Sequence, residues 1–189
     1  MLRAPRFLCE FPSRHVPLFG AEAHRNGMNR KLDGFDVALL NLLQADNLAT
    51  AEALAREVPL SPSAIARRVR AMREEGLIEA DRAVLAPDVT ADRLRAIVQL
   101  QVHEHAEERG IAMLRRRLAA QKEVQMLLNI AGSVDLLLLV VTRNMRDFNA
   151  FADAHFAADP SVRRYETSFV KAVIKQSPAV WLDAGDVAR

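Results

Sequence analysis

The chain has 189 residues and a formal net charge of +2, and half of its residues are apolar. This composition supplies a packed core and argues against global disorder. Cys9 is the only cysteine, which excludes a disulfide framework and a CxxC metal or redox site. The longest apolar run, Leu136–Val141, is too short to span a bilayer, and residues 1–27 show no secretory signal pattern. We therefore expect a cytoplasmic location and no membrane partner.

The first part of the chain shows no hydrophobic period and contains several prolines and a glycine. Two interpretations remain open for it. Residues 1–29 are a disordered N-terminal extension, or the start codon was placed too early and Met28 is the true start. Regular structure is expected from residue 30.

Two helices are predicted first in the segment 30–88. Asp33 is a favourable N-cap and Asp36 lies at the third helical position, so the first helix is expected to run to about Ala45. Thr50 caps a second helix, which is expected to end near residue 57.

The third predicted helix has the strongest start signal. Ser61 is an N-cap, Pro62 occupies the first helical position, and Gly76 ends the helix. Two helices joined by a short turn, the second of them basic, form the helix-turn-helix pattern of DNA-binding proteins. Leu77 to about Pro87 is predicted to form the two strands of a wing.

The spacing of Ile65, Val69 and Met72 predicts the buried face of this helix. The opposite face of this helix points away from the core. Its residues near the helix N-terminus are those through which a recognition helix contacts bases. Arg67 can bind guanine through two hydrogen bonds, whereas Arg68 has two interpretations, a phosphate contact or a structural arginine packed over the first helix. A solvated charged face is the alternative for the whole surface. The side chains predicted to contact DNA are Ser61, Ser63, Ala64, Arg67, Arg68 and Arg70.

From residue 93 the hydrophobic period changes to two, as in a half-buried strand. Strands and helices then follow in the order βαββαβ, the ferredoxin-like split unit, and the second helix is expected to bury Met145, Phe148 and Phe151. Residues 178–189 are interpreted as a loose C-terminal tail. The six elements are predicted at 93–102, 107–121, 124–131, 135–142, 145–158 and 162–175.

The third of these strands is apolar on both faces, because Leu136–Val141 does not alternate. Helices cover only one face of such a sheet, and the other face is normally polar. We expect a second copy to cover it, which makes a homodimer. The alternative is that leucine is used here without any role in packing.

Several of these runs resemble the Lrp/AsnC family of leucine-responsive and asparagine-type regulators. Residues 32–36 read LDGFD, like the family's LDxxD opening, and 60–70 with 74–78 resemble its LSxxxVxxRVxxLExxGxI signature. Gly132-x-x-Asp135 resembles the family's GxxD turn, and 170–177 its closing strand. The resemblance covers most of the chain and is most specific in the helix-turn-helix.

The resemblance implies an α+β protein with a winged helix-turn-helix domain at 30–88. A βαββαβ domain at 89–177, of the type that regulates amino-acid metabolism, would oligomerise and bind an effector. The implied function is sequence-specific transcriptional regulation on double-stranded DNA by a homodimer or higher oligomer, with an octamer possible. No cofactor and no catalysis are implied.

By the same resemblance, the effector turn is formed by Gly132, Ser133 and Asp135. Asp135 would hold an ammonium group, and the backbone amides a carboxylate. The weakly polar turn favours a small apolar or aromatic amino acid. An ordinary hairpin turn, with glycine supplying a positive φ and aspartate accepting backbone N–H groups, is the structural alternative.

Two other functions and a metal site are alternatives to regulation. Some proteins with this two-part architecture resemble sirohaem decarboxylases, which process tetrapyrroles. The second and third strands of this chain lack the histidine and tryptophan that are typical of those enzymes. A sensing partner without DNA binding is disfavoured by the intact recognition helix. His103 and His105 share a strand face, but spacing places no third ligand beside them, so no metal site is predicted.

Overall fold

A computed structural model describes residues 31–103 and 108–187. The extension predicted at 1–29 and His105 lie outside the described residues. The described residues form two compact units, and within these ranges the chain passes from one unit to the other at residues 85–86 and 172–173. The helical unit contains 31–85 and 173–187, and the sheet unit contains 86–172.

Three helices build the helical unit: α1 (Gly34–Ala45), α2 (Ala51–Leu54) and α3 (Pro62–Glu74). The predicted N-caps are confirmed, since each cap side chain accepts a backbone N–H, and Asp33 and Asp36 form a reciprocal capping box. α2 ends three residues earlier than predicted. The helices enclose a core made by Leu39, Leu43, Leu54, Val58, Ile65, Val69 and Met72.

Gly76 ends α3 with a φ of 76°, as its predicted role requires. The two wing strands predicted after it are not formed, and the segment contains only a 3-10 turn at Pro87–Thr90. An isolated pair of short strands is marginal in water unless it packs on another surface. Val84 and Leu85 are 87% and 60% exposed, so no such surface covers them here.

The sheet unit has the predicted order βαββαβ. The elements are β1 (Leu94–Val102), α4 (Glu108–Ala119), β2 (Val124–Asn129), β3 (Leu136–Thr142), α5 (Met145–Ala152) and β4 (Val162–Phe169). The strands form one antiparallel sheet in the order β2-β3-β1-β4, which confirms the ferredoxin-like topology. Both helices pack on one face and bury the core side chains against it.

Two predictions in this unit are wrong in detail. β4 ends at Phe169 because that residue pairs with Ala96, close to the start of its neighbour β1, so little strand remains for it to follow. Met145 is 45% exposed instead of buried. Phe156 is fully buried in the core instead. It lies in a π-helical turn, Asp153–Ala157, that follows α5.

The C-terminal segment is not loose. The backbone of Val180 and of Leu182 is hydrogen-bonded to two side chains of α1, and Asp183 caps a final 3-10 turn at Ala184–Asp186.

An ion pair connects α4 to the segment that follows α5. Arg117 binds the buried carboxylate of Asp159 and also donates to the backbone oxygen of His155. The His155 ring lies 4.5 Å from that of Phe151, and its buried Nδ1 has no hydrogen-bond partner among the described residues. Burial lowers the pKa of His155 below its usual value of 6.5, and the nearby charge of Arg117 lowers it further.

This environment makes the sheet unit sensitive to acid. The unfolded chain protonates His155 near pH 6.5 and the folded chain only at lower pH, so the unfolded state binds more protons below that pH. The free energy of unfolding should therefore fall as the pH drops from about 7 to 5. In His155→Gln this fall should be shallower, as measured by urea unfolding at each pH. Equal slopes in both proteins would contradict the assignment.

Candidate nucleic-acid interface and effector turn

The outward face of α3 is basic and accessible. Ile65, Val69 and Met72 are buried beneath the helix, while Arg67 and Arg70 are exposed on its other side. Neither arginine makes an ion pair or hydrogen bond with any described residue. Both guanidinium groups are therefore available to phosphate or to a base edge.

The start of α3 is held by hydroxyl groups. Ser61 Oγ accepts the N–H of Ala64 at 3.3 Å and lies 3.1 Å from Ser63 Oγ. Ser61 and Ser63 are exposed and Ala64 is half-buried, so the predicted contact residues lie at one end of one surface. A helix N-terminus of this kind suits a phosphate oxygen.

Arg68 differs from its neighbours because its guanidinium group is bound to α1. Nη1 donates to Asp36 Oδ1 at 2.7 Å and to Asp33 Oδ2 at 2.8 Å, and Asp36 is only 1% exposed. The guanidinium carbon also lies 5.8 Å from the centre of the Phe35 ring. The hydrogen bonds to Asp36 and Asp33 raise the pKa of Arg68.

The carboxylates respond to this cluster as well. Burial raises the pKa of Asp33, but the hydrogen bonds from the Asp36 backbone and from Arg68 outweigh it, so the pKa is lowered overall. Of the two interpretations of Arg68, the structure supports the structural arginine. Its contact with DNA stays an untested prediction, and its engaged Nη1 argues against it.

The turn at 132–135 is hydrogen-bonded to the end of β1. Asp135 Oδ2 accepts the N–H of Val102 at 2.8 Å, and Gln101 Nε2 donates to the backbone oxygen of Ser133 at 2.8 Å. The pairing of β1 with β4 shifts register at the same two β1 residues. The carboxylate of Asp135 thus accepts a backbone N–H, as the structural alternative expected of it, and it does so at an irregularity of the sheet.

Gly132 leaves open space at this turn. An added Cβ would meet nothing closer than a methyl group of Ile130 at 3.8 Å. Gly76 is the only glycine with positive φ among the described residues, so Gly132 is not needed for a left-handed backbone. The structural alternative is therefore wrong about Gly132, which does not supply a positive φ, and right that Asp135 accepts a backbone N–H.

The outer face of the sheet is apolar along β3, as predicted. Leu136, Leu138 and Val140 are buried under the helices. The residues that alternate with them point to the other face and are half-buried: Leu137, Leu139 and Val141. The apolar residues on that face, here called the outer patch, are Ile97, Met126, Leu128, Leu137, Leu139 and Val141.

The described residues offer neither a metal site nor a membrane-spanning helix. They contain no group of three or more side chains able to hold a metal ion, and His103 is exposed. No helix among them is both long and apolar enough to cross a membrane.

Two family models match this chain. The AsnC-type helix-turn-helix domain matches residues 32–73, and the Lrp/AsnC ligand binding domain matches residues 95–180. The chain belongs to the Lrp/AsnC family. A helix-turn-helix transcriptional regulator of Sinorhizobium fredii is 29% identical over 150 residues, which cover 79% of this chain and 88% of that relative.

Solved structures of Lrp/AsnC regulators share the fold. An AsnC family regulator of Agrobacterium tumefaciens has a TM-score of 0.71 at 26% identity, covering 79% of this chain and 96% of its own. A transcriptional regulator of Neisseria meningitidis, crystallised with L-methionine, has a TM-score of 0.70 at 24% identity, covering 79% and 96%. The tetrapyrrole-enzyme alternative receives no support from these relatives.

The same substitution at two adjacent arginines of α3 should change the free energy of unfolding by very different amounts. Arg68→Met removes the charge that compensates the buried Asp36 carboxylate, so it should lower the free energy of unfolding by about 3 kcal/mol. Arg67→Met, its matched control, should change that energy by less than about 0.5 kcal/mol because the side chain is exposed. Denaturant titration of both variants measures the difference, and similar stabilities would refute the structural role of Arg68.

Proposed function

We propose that this Lrp/AsnC-family protein is a cytoplasmic, sequence-specific transcriptional regulator that binds double-stranded DNA and responds to an amino acid or a related metabolite. The observation that carries the proposal is the exposed face of α3, where Arg67 and Arg70 make no ion pair or hydrogen bond with any residue in the described ranges 31–103 and 108–187. The protein acts by binding and needs neither catalysis nor a cofactor. Its DNA-binding domain spans 30–88 and its effector and oligomerisation domain 89–177.

On DNA, the N-terminal part of α3 enters the major groove. Arg67 binds guanine, while Ser63 and Ala64 approach neighbouring base edges. Arg70 and the α3 N-terminus at Ser61 contact phosphates and set the position of the helix on the duplex. The engaged guanidinium of Arg68 leaves it at most a minor contact.

The active form is a homodimer or a larger homo-oligomer. The outer patch is apolar and uncovered in one chain, and burial against the same patch of a second copy removes it from water. A pair of chains presents two recognition helices, so weak single contacts combine into strong binding. An octamer is a possible larger assembly.

The effector turn comprises Gly132, Ser133 and Asp135. One oxygen of Asp135 holds the N–H of Val102, and the other can accept from an ammonium group. The L-methionine complex of the Neisseria regulator, which shares the fold, supports an amino acid as effector. A small apolar or aromatic amino acid fits the weak polarity of the turn, and it acts through different affinities for two states of the oligomer.

Substitutions on α3 test DNA recognition. Genomic footprinting first identifies a bound site. Arg67→Ala should then weaken binding by about 1–3 kcal/mol and relax the preference at one base position, whereas Arg70→Ala should weaken binding to all sequences alike. Fluorescence titration against the site and its single-base variants separates the two effects. If both variants bind like the unchanged protein, α3 does not face the DNA as proposed.

A second substitution tests the effector turn. Asp135→Asn keeps the volume and an acceptor for the Val102 N–H, so the fold and assembly should survive. Binding of the amino acid should weaken at least about tenfold, which corresponds to one charge-assisted hydrogen bond. Calorimetric titration of the twenty amino acids against both proteins measures this. An effector that binds both equally would place the pocket elsewhere, and no binder at millimolar concentration would remove the sensing role.

A further inference from the structure

The C-terminal segment is bound to α1 by two side-chain amides. Asn41 Nδ2 donates to the backbone oxygen of Leu182 at 2.9 Å, and Asn41 Oδ1 accepts the N–H of the same residue at 3.0 Å. Gln44 Nε2 donates to the oxygen of Val180 at 2.8 Å, and Gln44 Oε1 accepts its N–H at 2.7 Å. Each amide thus satisfies both backbone groups of one residue.

This arrangement imitates a strand partner. Asn41 and Gln44 are three positions apart on one helix face, and their partners are two positions apart in an extended segment. The amides take the place of two peptide groups of a neighbouring strand. Trp181, between the two bound residues, has 65% of its surface exposed. The segment is held mainly through its backbone.

The bound segment lies on a different face of α1 from the rest of the helical unit. Leu39 and Leu43 face the core shared with α3, whereas Asn41 and Gln44 lie outside that core. The outward residues of α3 remain exposed with the segment in place. Docking of the segment therefore does not obstruct the proposed DNA surface.

The bound segment adds a second link between the helical unit and the sheet unit. The sequence from residue 173 follows the sheet unit, yet it belongs to the helical unit. With the segment docked, the described residues join the helical unit to the sheet unit at two points, 85–86 and 172–173. With the segment released, the link at 85–86 is the one that remains among these described residues.

We propose that residues 178–187 are a releasable strap that restrains the DNA-binding unit. Neutral hydrogen bonds at a solvent-accessible surface open more easily than the core of either unit, so the strap can detach while both units stay folded. The docked strap limits the orientations of the helical unit, which reduces the entropy lost when paired units bind DNA. This last consequence rests on the proposed function, whereas the strap itself does not.

Hydrogen exchange of the full-length protein tests the strap directly. The variant Asn41→Ala/Gln44→Ala removes all four hydrogen bonds, and alanine is a better helix former than either residue, so α1 itself is not weakened. Exchange at the Val180 and Leu182 amides should accelerate at least about tenfold, as expected when a local contact is lost. Trp181, the only tryptophan, should show lower fluorescence anisotropy. The control Glu52→Ala, at an exposed residue of the same unit, should change neither signal.

The outcome for the strap is decided by these signals alone. Unchanged exchange and anisotropy in the double variant would overturn it. If the double variant fails to fold, a chain ending at Gln176 tests the same point. That chain should keep the core protection of both units, and global loss of protection would show an integral part of the fold instead of a releasable strap.

DNA binding tests the consequence. The double variant should bind the footprinted site about threefold to tenfold more weakly. The salt dependence should stay unchanged because no phosphate contact is lost. Equal affinity despite a released segment would overturn the restraint. If the unchanged protein binds no DNA, the proposed function fails, and the exchange result still stands on its own.

Discussion

The guanidinium group of Arg68 lies between two carboxylates of the first turn of α1, one of them almost fully buried. Asp33 and Asp36 also cap that helix, so a single cluster sets both the start of α1 and the rotation of α3 against it. Once this rotation is set, the apolar side of α3 faces the core and Arg67 must face outward. The accessible basic surface therefore depends on an arginine that is itself withdrawn from it.

The sheet unit is governed by a different constraint, which concerns burial. Two helices cover one face of four strands, and β3 carries apolar residues on both faces. A single copy leaves the outer patch partly exposed to water, at a cost that grows with the exposed area. In the dimer that we propose, pairing of two sheets relieves this cost and brings two helix-turn-helix units into one particle. Under that proposal, the apolar face of the sheet unit provides the bivalency that strengthens DNA binding by the helical unit.

The sequence predicted those features whose signals are local. Caps such as Ser61 and periodic apolar residues fix most helices and strands within a few positions, so the fold class of both units could be predicted from the sequence. The prediction of two wing strands was wrong because short strands need a surface to pack on, and residue patterns do not reveal whether that surface exists. The Arg68 cluster joins residues 32 and 35 positions apart, and the strap joins residues 141 and 136 apart. Asn41 and Gln44 look like ordinary surface residues in the sequence, since their partners are backbone groups.

The number of chains on one DNA site tests most directly the claim that paired recognition helices bind DNA. Sedimentation velocity of the protein with a short footprinted duplex measures this number from the mass of the complex. The account predicts two chains or a multiple of two on each duplex, with the same even number in the free protein. A stable complex containing one chain would contradict it.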